Sequence, residues 1–308
     1  MILIVGPEKD PMIARVVAIL REREANFELV FVSDLPGTVR FSLGISEHGF
    51  TGSLRDSEGW ELPLQDIQAV YHRMGFSDFE RYEEYSDQES QFVNSECIAA
   101  FNGWLNSMPG LVINRPVASG TNASKPHQSQ LLEKLGFRTP RTLVTNVPEH
   151  ARKFYEELGG QVIYKSISYQ RSIVQKMTPE DLDRLDTLTA CPIQLQELVP
   201  GTDVRVHVVG PKNLFASRIV SEASDYRYDK EAVVEAVDLP EALAQRCFQA
   251  AHSLNMTLAG LDLRLTPDGD ACCFEANPSP AFSWYENRTG QPIGQTIVEL
   301  LEAADSAV

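Results

Sequence analysis

The chain of 308 residues is 43% hydrophobic, enough for two domains or three small lobes with buried cores. Its 43 acidic and 27 basic side chains give a formal charge of −16, which argues against general binding to nucleic acid, so any polyanion site must gather its cations locally. No apolar run approaches the ~20 residues of a membrane helix, and the opening MILIVGPEKD lacks a basic n-region with a long apolar core. These features place the chain in the cytoplasm, with no membrane partner. The five cysteines (Cys97, Cys191, Cys247, Cys272, Cys273) show no CxxC spacing and are read as reduced and buried.

Ile2 to Val5 is an apolar run ended by Gly6-Pro7, Pro11 to Glu22 repeats its apolar residues at helical spacing, and Phe27 to Val32 follows as a second strand. Such a βαβ start implies a parallel sheet. A dinucleotide fold would need GxGxxG, of which only Gly6 is present, so a nicotinamide oxidoreductase is set aside. Ile67 to Arg73 and Leu111 to Asn114 read as further strands of this sheet, and the acidic stretch Ser77 to Ser90 as a helix or surface loop. Arg115-Pro116 marks a boundary. Ser124-Lys125-Pro126 opens a helix that stops at Gly136, Arg141 to Thr145 is a strand, Pro148 to Leu158 a helix and Gln161 to Lys165 a strand. The last third reads as rich in hairpins.

The strongest chemistry lies between Leu258 and Asn277. With Thr266 and Ala271 flanking a four-residue loop, cross-strand counting sets Asp262 opposite Glu275, with Asn277 two residues on and facing the same way. Phe274, Ala276 and Leu263 then fall on the buried face. Two facing carboxylates call for a cation unless the hairpin is solvated and they merely face water, and three oxygen donors suit Mg²⁺. Upstream, Asp203, Arg205 and His207 share one strand face; if Val209 pairs with Leu214, Arg218 lies opposite Arg205, and two adjacent arginines imply an anion, the alternative being that they are surface ion-pair partners. His207 is read as structural. Lys125 and Lys165 complete the cations that triphosphate chemistry needs, while the absence of GxxxxGK[ST] excludes a P-loop.

The order of these motifs resembles the ATP-grasp superfamily from about Asn114 to Leu301. Lys125 and Lys165 resemble the family's two nucleotide lysines, and Gln194 to Arg205 its hinge and ribose segment. The resemblance implies that this segment, with Gln196 within it, binds ATP: Glu197, Leu198 and Val199 meet the adenine edge and Asp203 the ribose. Asp262, Glu275 and Asn277 match its magnesium segments, with two ions implied. Arg205, Arg218 or Arg264 would steady an acyl phosphate. Val-Tyr-His-Arg73, Asp225-Tyr-Arg227 and the run from Asn277 to Glu286 followed by Thr289-Gly-Gln-Pro-Ile resemble the branch of ribosomal-protein glutamate ligases and graspetide peptide ligases, which makes Arg73 and Arg227 substrate contacts. One departure is the absence of glycine between Lys165 and Gln194, where relatives carry a glycine-rich flap; Ser166 to Arg171 is the candidate lid.

The expected architecture is a parallel-sheet N-terminal α/β domain (residues 1–114), followed by a two-lobed ATP-grasp fold with a central lobe (115–190) and a C-terminal lobe carrying the metal site (191–308). The expected function is an ADP-forming ligase that joins a carboxylate to an amine or hydroxyl, acting on an amino acid or peptide as a homo-oligomer, a dimer or tetramer. The competing reading is a nucleotide sensor without turnover.

Overall fold

The computed structural model describes residues 1–35, 37–47, 49–73, 85–122, 124–167, 174–221 and 231–306. The chain begins with β1 (Ile2–Gly6), α1 (Pro11–Glu22) and β2 (Phe27–Phe31). A meander follows, β3 (Arg40–Ser46), β4 (Gly49–Arg55) and β5 (Glu61–Pro63), then β6 (Ala69–His72), α2 (Asp87–Ser107) and β7 (Leu111–Ile113). The strands run parallel in the order β2-β1-β6-β7. Both faces are covered, which is why these strands read as unbroken apolar runs. Leu3, Val5, Val70 and Val112 face the meander and α2, whereas Ile2, Ile4, Ala69, Tyr71 and Ile113 face a core that includes α1.

Next come α3 (Lys125–Lys134), β8 (Thr142–Thr145), α4 (Pro148–Glu157), β9 (Val162–Lys165), β10 (Gln175–Lys176), α5 (Pro179–Leu182) and β11 (Ile193–Glu197). Strands β10-β9-β11-β8 make an antiparallel sheet with one face on Ala151, Phe154, Met177 and Leu185. The remaining elements are β12 (Thr202–Val209), β13 (Asn213–Val220), β14 (Val233–Val237), α6 (Glu241–Ser253), β15 (Leu258–Leu265), β16 (Ala271–Asn277), α7 (Ser283–Thr289) and α8 (Ile293–Asp305). The antiparallel order β14-β13-β12-β15-β16 buries Val204, Val206, Val208, Leu261 and Leu263 under α3 and α6.

Several expectations are corrected by this packing. The last third has the expected hairpins β12–β13 and β15–β16, and among its described residues also the helices α6, α7 and α8. The boundary at 190/191 fails because β11 belongs to the central sheet, and α3 sits on the C-terminal sheet, where Gln128 donates to the Ala276 carbonyl (2.8 Å) and accepts from its amide (3.0 Å). Nor does the first unit close at residue 114, since α8 supplies Ile293, Ile297, Val298 and Leu301 to the core beneath β1 and β6. Helix α2 begins within the acidic stretch, at a capping box in which Glu89 accepts from the Ser86 amide at 2.9 Å; residues 77–84 of that stretch lie outside the described residues. All five cysteines are free, but Cys191 is exposed and Cys97 half-buried.

Candidate active site

A cleft of about 310 Å³ opens between β9 and β11 of the central sheet and β12, β15 and β16 of the C-terminal sheet. Lys125, Lys165, Gln196, Glu197, Leu198, Val199, Asp203, Arg205, Asp262, Arg264, Glu275 and Asn277 all line it, so residues 150 positions apart in sequence meet in one place. A wider cleft of about 670 Å³ at the seam between β7 and α6 contains none of them.

Three rows cross the C-terminal sheet. Arg205, Asp262 and Glu275 are paired in one row, His207, Gly260 and Asn277 in the next, and Asp203, Arg264 and Cys272 in the third. The pairing of Asp262 with Glu275 agrees with the expected one, but by a different route. The loop is one residue longer, because Leu265 pairs with Ala271, and a bulge at Phe274 restores the register. Phe274 is thereby turned into the cleft, against the expectation that it lines the buried face.

Arg218 is a second correction. Val209 pairs with Asn213, which sets Arg205 opposite Ser217 and Arg218 opposite Val204, on the other face. A one-residue slip in a strand reverses every side chain. Arg218 is exposed and bonds Glu235 of β14, outside the cleft. Arg264 lines the cleft but is clamped: Nε and Nη2 each donate to Asp203 at 2.8 Å, Nη1 donates to the Val199 carbonyl at 2.9 Å, and the guanidinium lies 5.4 Å from the Phe274 ring centre.

At the other end of the cleft, Glu275 is bonded by Lys125 from the first turn of α3, and Asp262 by Arg205. The Glu275 carboxyl titrates below its ordinary value. Burial works to raise it, and the charge and hydrogen bond of Lys125, with Arg205 and Lys165 behind them, outweigh burial. Lys165 donates to Gln196 at 3.3 Å, and Gln196 in turn donates to Thr142 at 3.0 Å. Glu197 accepts from Arg138 at 2.7 Å and from the Arg141 amide at 3.2 Å, so its carboxylate is engaged by the protein. Asn277 accepts from the Ser279 amide at 2.8 Å.

The oxygen set suits a divalent ion: two paired carboxylates each hold a cationic side chain, and an amide oxygen stands one row away. Among the described residues no cluster of three or more His, Cys, Asp or Glu side chains that could hold a metal ion forms.

Arg73 lies away from the cleft, donating to Asp10 (2.8 Å), Ser279 (3.0 Å) and the Pro280 carbonyl (3.2 Å). It braces the loop after Asn277. Arg227 lies outside the described residues, as do 168–171 of the expected lid. His207 is fully buried, as its structural reading requires, with Nε2 3.2 Å from the Ala281 carbonyl. Sequence reasoning missed the apolar walls Ile163, Ile219, Leu263 and Phe274, and also Asn122. Two had a signal: Ile163 precedes Lys165 by two on the same strand face, and Ile219 pairs with Asp203.

A family model for the RimK-like ATP-grasp domain matches residues 122–301, more than half of the chain. The chain belongs to the RimK-like ATP-grasp family. As an ATP-grasp ligase it is an enzyme, and the sensor reading gives way. Over 256 residues, 80% of this chain and 79% of the relative, it is 26% identical to a protein of Teredinibacter turnerae named "Probable alpha-L-glutamate ligase". Its fold is similar to that of the macrocyclase MdnC of Microcystis aeruginosa, solved with the precursor peptide MdnA: TM-score 0.86, 24% identity, 99% and 100% of the two chains covered. The ATP-grasp ligase PsnB, complexed with minimal precursor, Mg and ADP, superposes at TM-score 0.83 with 28% identity over 99% and 97%. No helix among the described residues is long and apolar enough to cross a membrane.

Proposed function

We propose that this RimK-like ligase activates a carboxylate of a peptide with ATP and passes the acyl group to an amine or hydroxyl, releasing ADP and phosphate. The observation that carries this reading is the row Arg205, Asp262, Glu275 with Lys125 at its end, facing Lys165 across the cleft. The relatives support a peptide or glutamate substrate, since MdnC and PsnB were solved with precursor peptides and the curated relatives are named glutamate ligases.

The backbone of Glu197 to Val199 receives adenine between Ile163 on the central sheet and Phe274 on the C-terminal one, and Asp203, held by Arg264, receives the ribose. Lys125 and Lys165 turn from Glu275 and Gln196 to the phosphates. Asp262, Glu275 and Asn277 would hold Mg²⁺, two ions on this reading, and bound there the metal would supply charge neutralisation of the triphosphate. A carboxylate oxygen of the substrate attacks that phosphorus and the bond to ADP breaks. Arg205 steadies the charge on the transferred group; the nucleophile then attacks the acyl carbon, loses its proton and expels phosphate. The setting is the cytoplasm and the working form a homo-oligomer.

ADP release is measured with Mg²⁺ and ATP across pooled amino acids, short peptides and any peptide encoded beside this gene. Stimulation at least about tenfold over the acceptor-free rate is expected from one peptide pool, and the Glu275→Gln variant retains nucleotide binding while losing that stimulation. Undiminished turnover by Glu275→Gln removes the metal role from Glu275. ATP binding without stimulation by any pool removes the ligase reading of this site.

A further inference from the structure

Arg205 is 6% exposed, yet it must hold a guanidinium at the phosphate end of the cleft. Its surroundings come from other elements. Gly260 on β15 is paired with His207, one row from Arg205 on the same sheet face. A Cβ at Gly260 would stand 2.7 Å from Cζ of Arg205 and 2.5 Å from Cβ of Pro280, and closer still to Nη2 of Arg205. Gly260 sits in a regular strand, so it is space rather than backbone freedom that calls for glycine. Behind the guanidinium lies the ring of Tyr285, its centre 6.0 Å from Cζ, and that ring meets His207 edge-on at 5.1 Å.

We propose that Gly260 is a positioning residue: its missing Cβ, backed by Pro280 and Tyr285, forms the berth that holds Arg205 against Asp262 and aims it into the cleft. This rests on the role given to Arg205 above. The methyl of Gly260→Ala strikes both neighbours: the loop carrying Pro280 has to give, and the guanidinium, at the end of a long side chain, is displaced from the cleft while the β12–β15 pairing is kept.

The test reads Arg205 directly. In ¹⁵N-arginine-labelled protein its Nε–H is assigned by its loss in Arg205→Lys, and in the parent it exchanges slowly with water. Gly260→Ala speeds that exchange at least about tenfold while the melting midpoint stays within about 4 °C. Unchanged exchange in Gly260→Ala overturns the berth. Should that variant fail to fold, Tyr285→Leu removes the ring face without adding an atom, and the same two results decide. With a stimulating acceptor, Gly260→Ala lowers kcat about tenfold with KM for ATP within about twofold; placed on Arg205→Lys it changes nothing beyond about twofold, because an ammonium has no fork to strike the new methyl. Equal cost in both backgrounds overturns the berth. Full activity of Arg205→Lys alone instead overturns the role of Arg205, a failure the exchange measurement tells apart.

Discussion

His207 shows how a single side chain in the site's floor responds to pH. Its pKa is pushed down to about 3, first by complete burial and then by the charge of Arg205 beside it, against a smaller opposing effect from the Ala281 carbonyl. The folded-state value lies below that of the unfolded chain, so the unfolded chain takes up the proton first, and stability is lost as pH falls below about 6.5. Between pH 6 and 4 the unfolding free energy of the parent therefore falls more steeply than that of His207→Gln, by about 1.4 kcal/mol per pH unit. Denaturant titrations at several pH values measure both slopes, and equal slopes would show that the folded protein accepts the proton. At this scale the sequence was informative wherever chemistry constrained type and spacing together. Lys125, Lys165, Asp262, Glu275 and Asn277 all line one cleft, whereas Arg264 lines it bound to Asp203 and Arg218 faces away. An arginine's alternation on a strand names two faces but does not say which one holds the site.

Strands and turns carry the next level of error. The hairpin bearing Asp262 and Glu275 was legible although its loop and its bulge were not, since the two offsets cancel; the preceding hairpin had a shorter turn with nothing to compensate, and Arg218 was lost. The meander β3 to β5 was unread because Gly44, Gly49 and Gly52 interrupt its alternation, and α2 because only Ser90, Ile98, Phe101, Trp104 and Leu105 of its 21 residues are buried. One cross-link between elements has a testable role. Arg138 accepts from the Cys273 amide of β16 at 2.9 Å through its backbone and donates to Glu197 of β11 at 2.7 Å through its side chain, which joins the two sheets at the end of the cleft lined by Glu197 to Val199. Removing it in Arg138→Ala frees the end of β11 and raises the Kd for ATP about tenfold, or about 1.4 kcal/mol, while kcat at saturating ATP changes less than about twofold. Calorimetric titration gives the first number and steady-state kinetics the second; an unaltered Kd would mean that the backbone of Glu197 to Val199 holds its place without the link.

For the molecule as a whole, cores do not follow chain order. All four parallel strands lie before residue 114, but one face of their sheet is closed by Ile293, Ile297, Val298 and Leu301 of α8, and that same core takes in Val209, Ile219 and Leu258 of the C-terminal sheet. Periodicity reveals that a strand is buried on both faces and is silent about which distant helix does the burying. The consequence is energetic. Four fully buried aliphatic side chains contribute on the order of 8 kcal/mol of transfer free energy as an upper figure, comparable with the entire stability of a typical domain. A fragment ending at residue 114 therefore exposes an apolar face it cannot close, and its ¹H–¹⁵N spectrum is expected to be poorly dispersed, with broad lines from self-association. The intact chain, by contrast, should lose the N-terminal and C-terminal sheets in one cooperative transition, seen as coincident melting of Trp104 fluorescence and far-ultraviolet dichroism. A well-dispersed spectrum from the fragment would mean that α1, α2 and the meander suffice to fold the sheet, and that α8 couples the N-terminal unit to the catalytic cleft without being needed to build it.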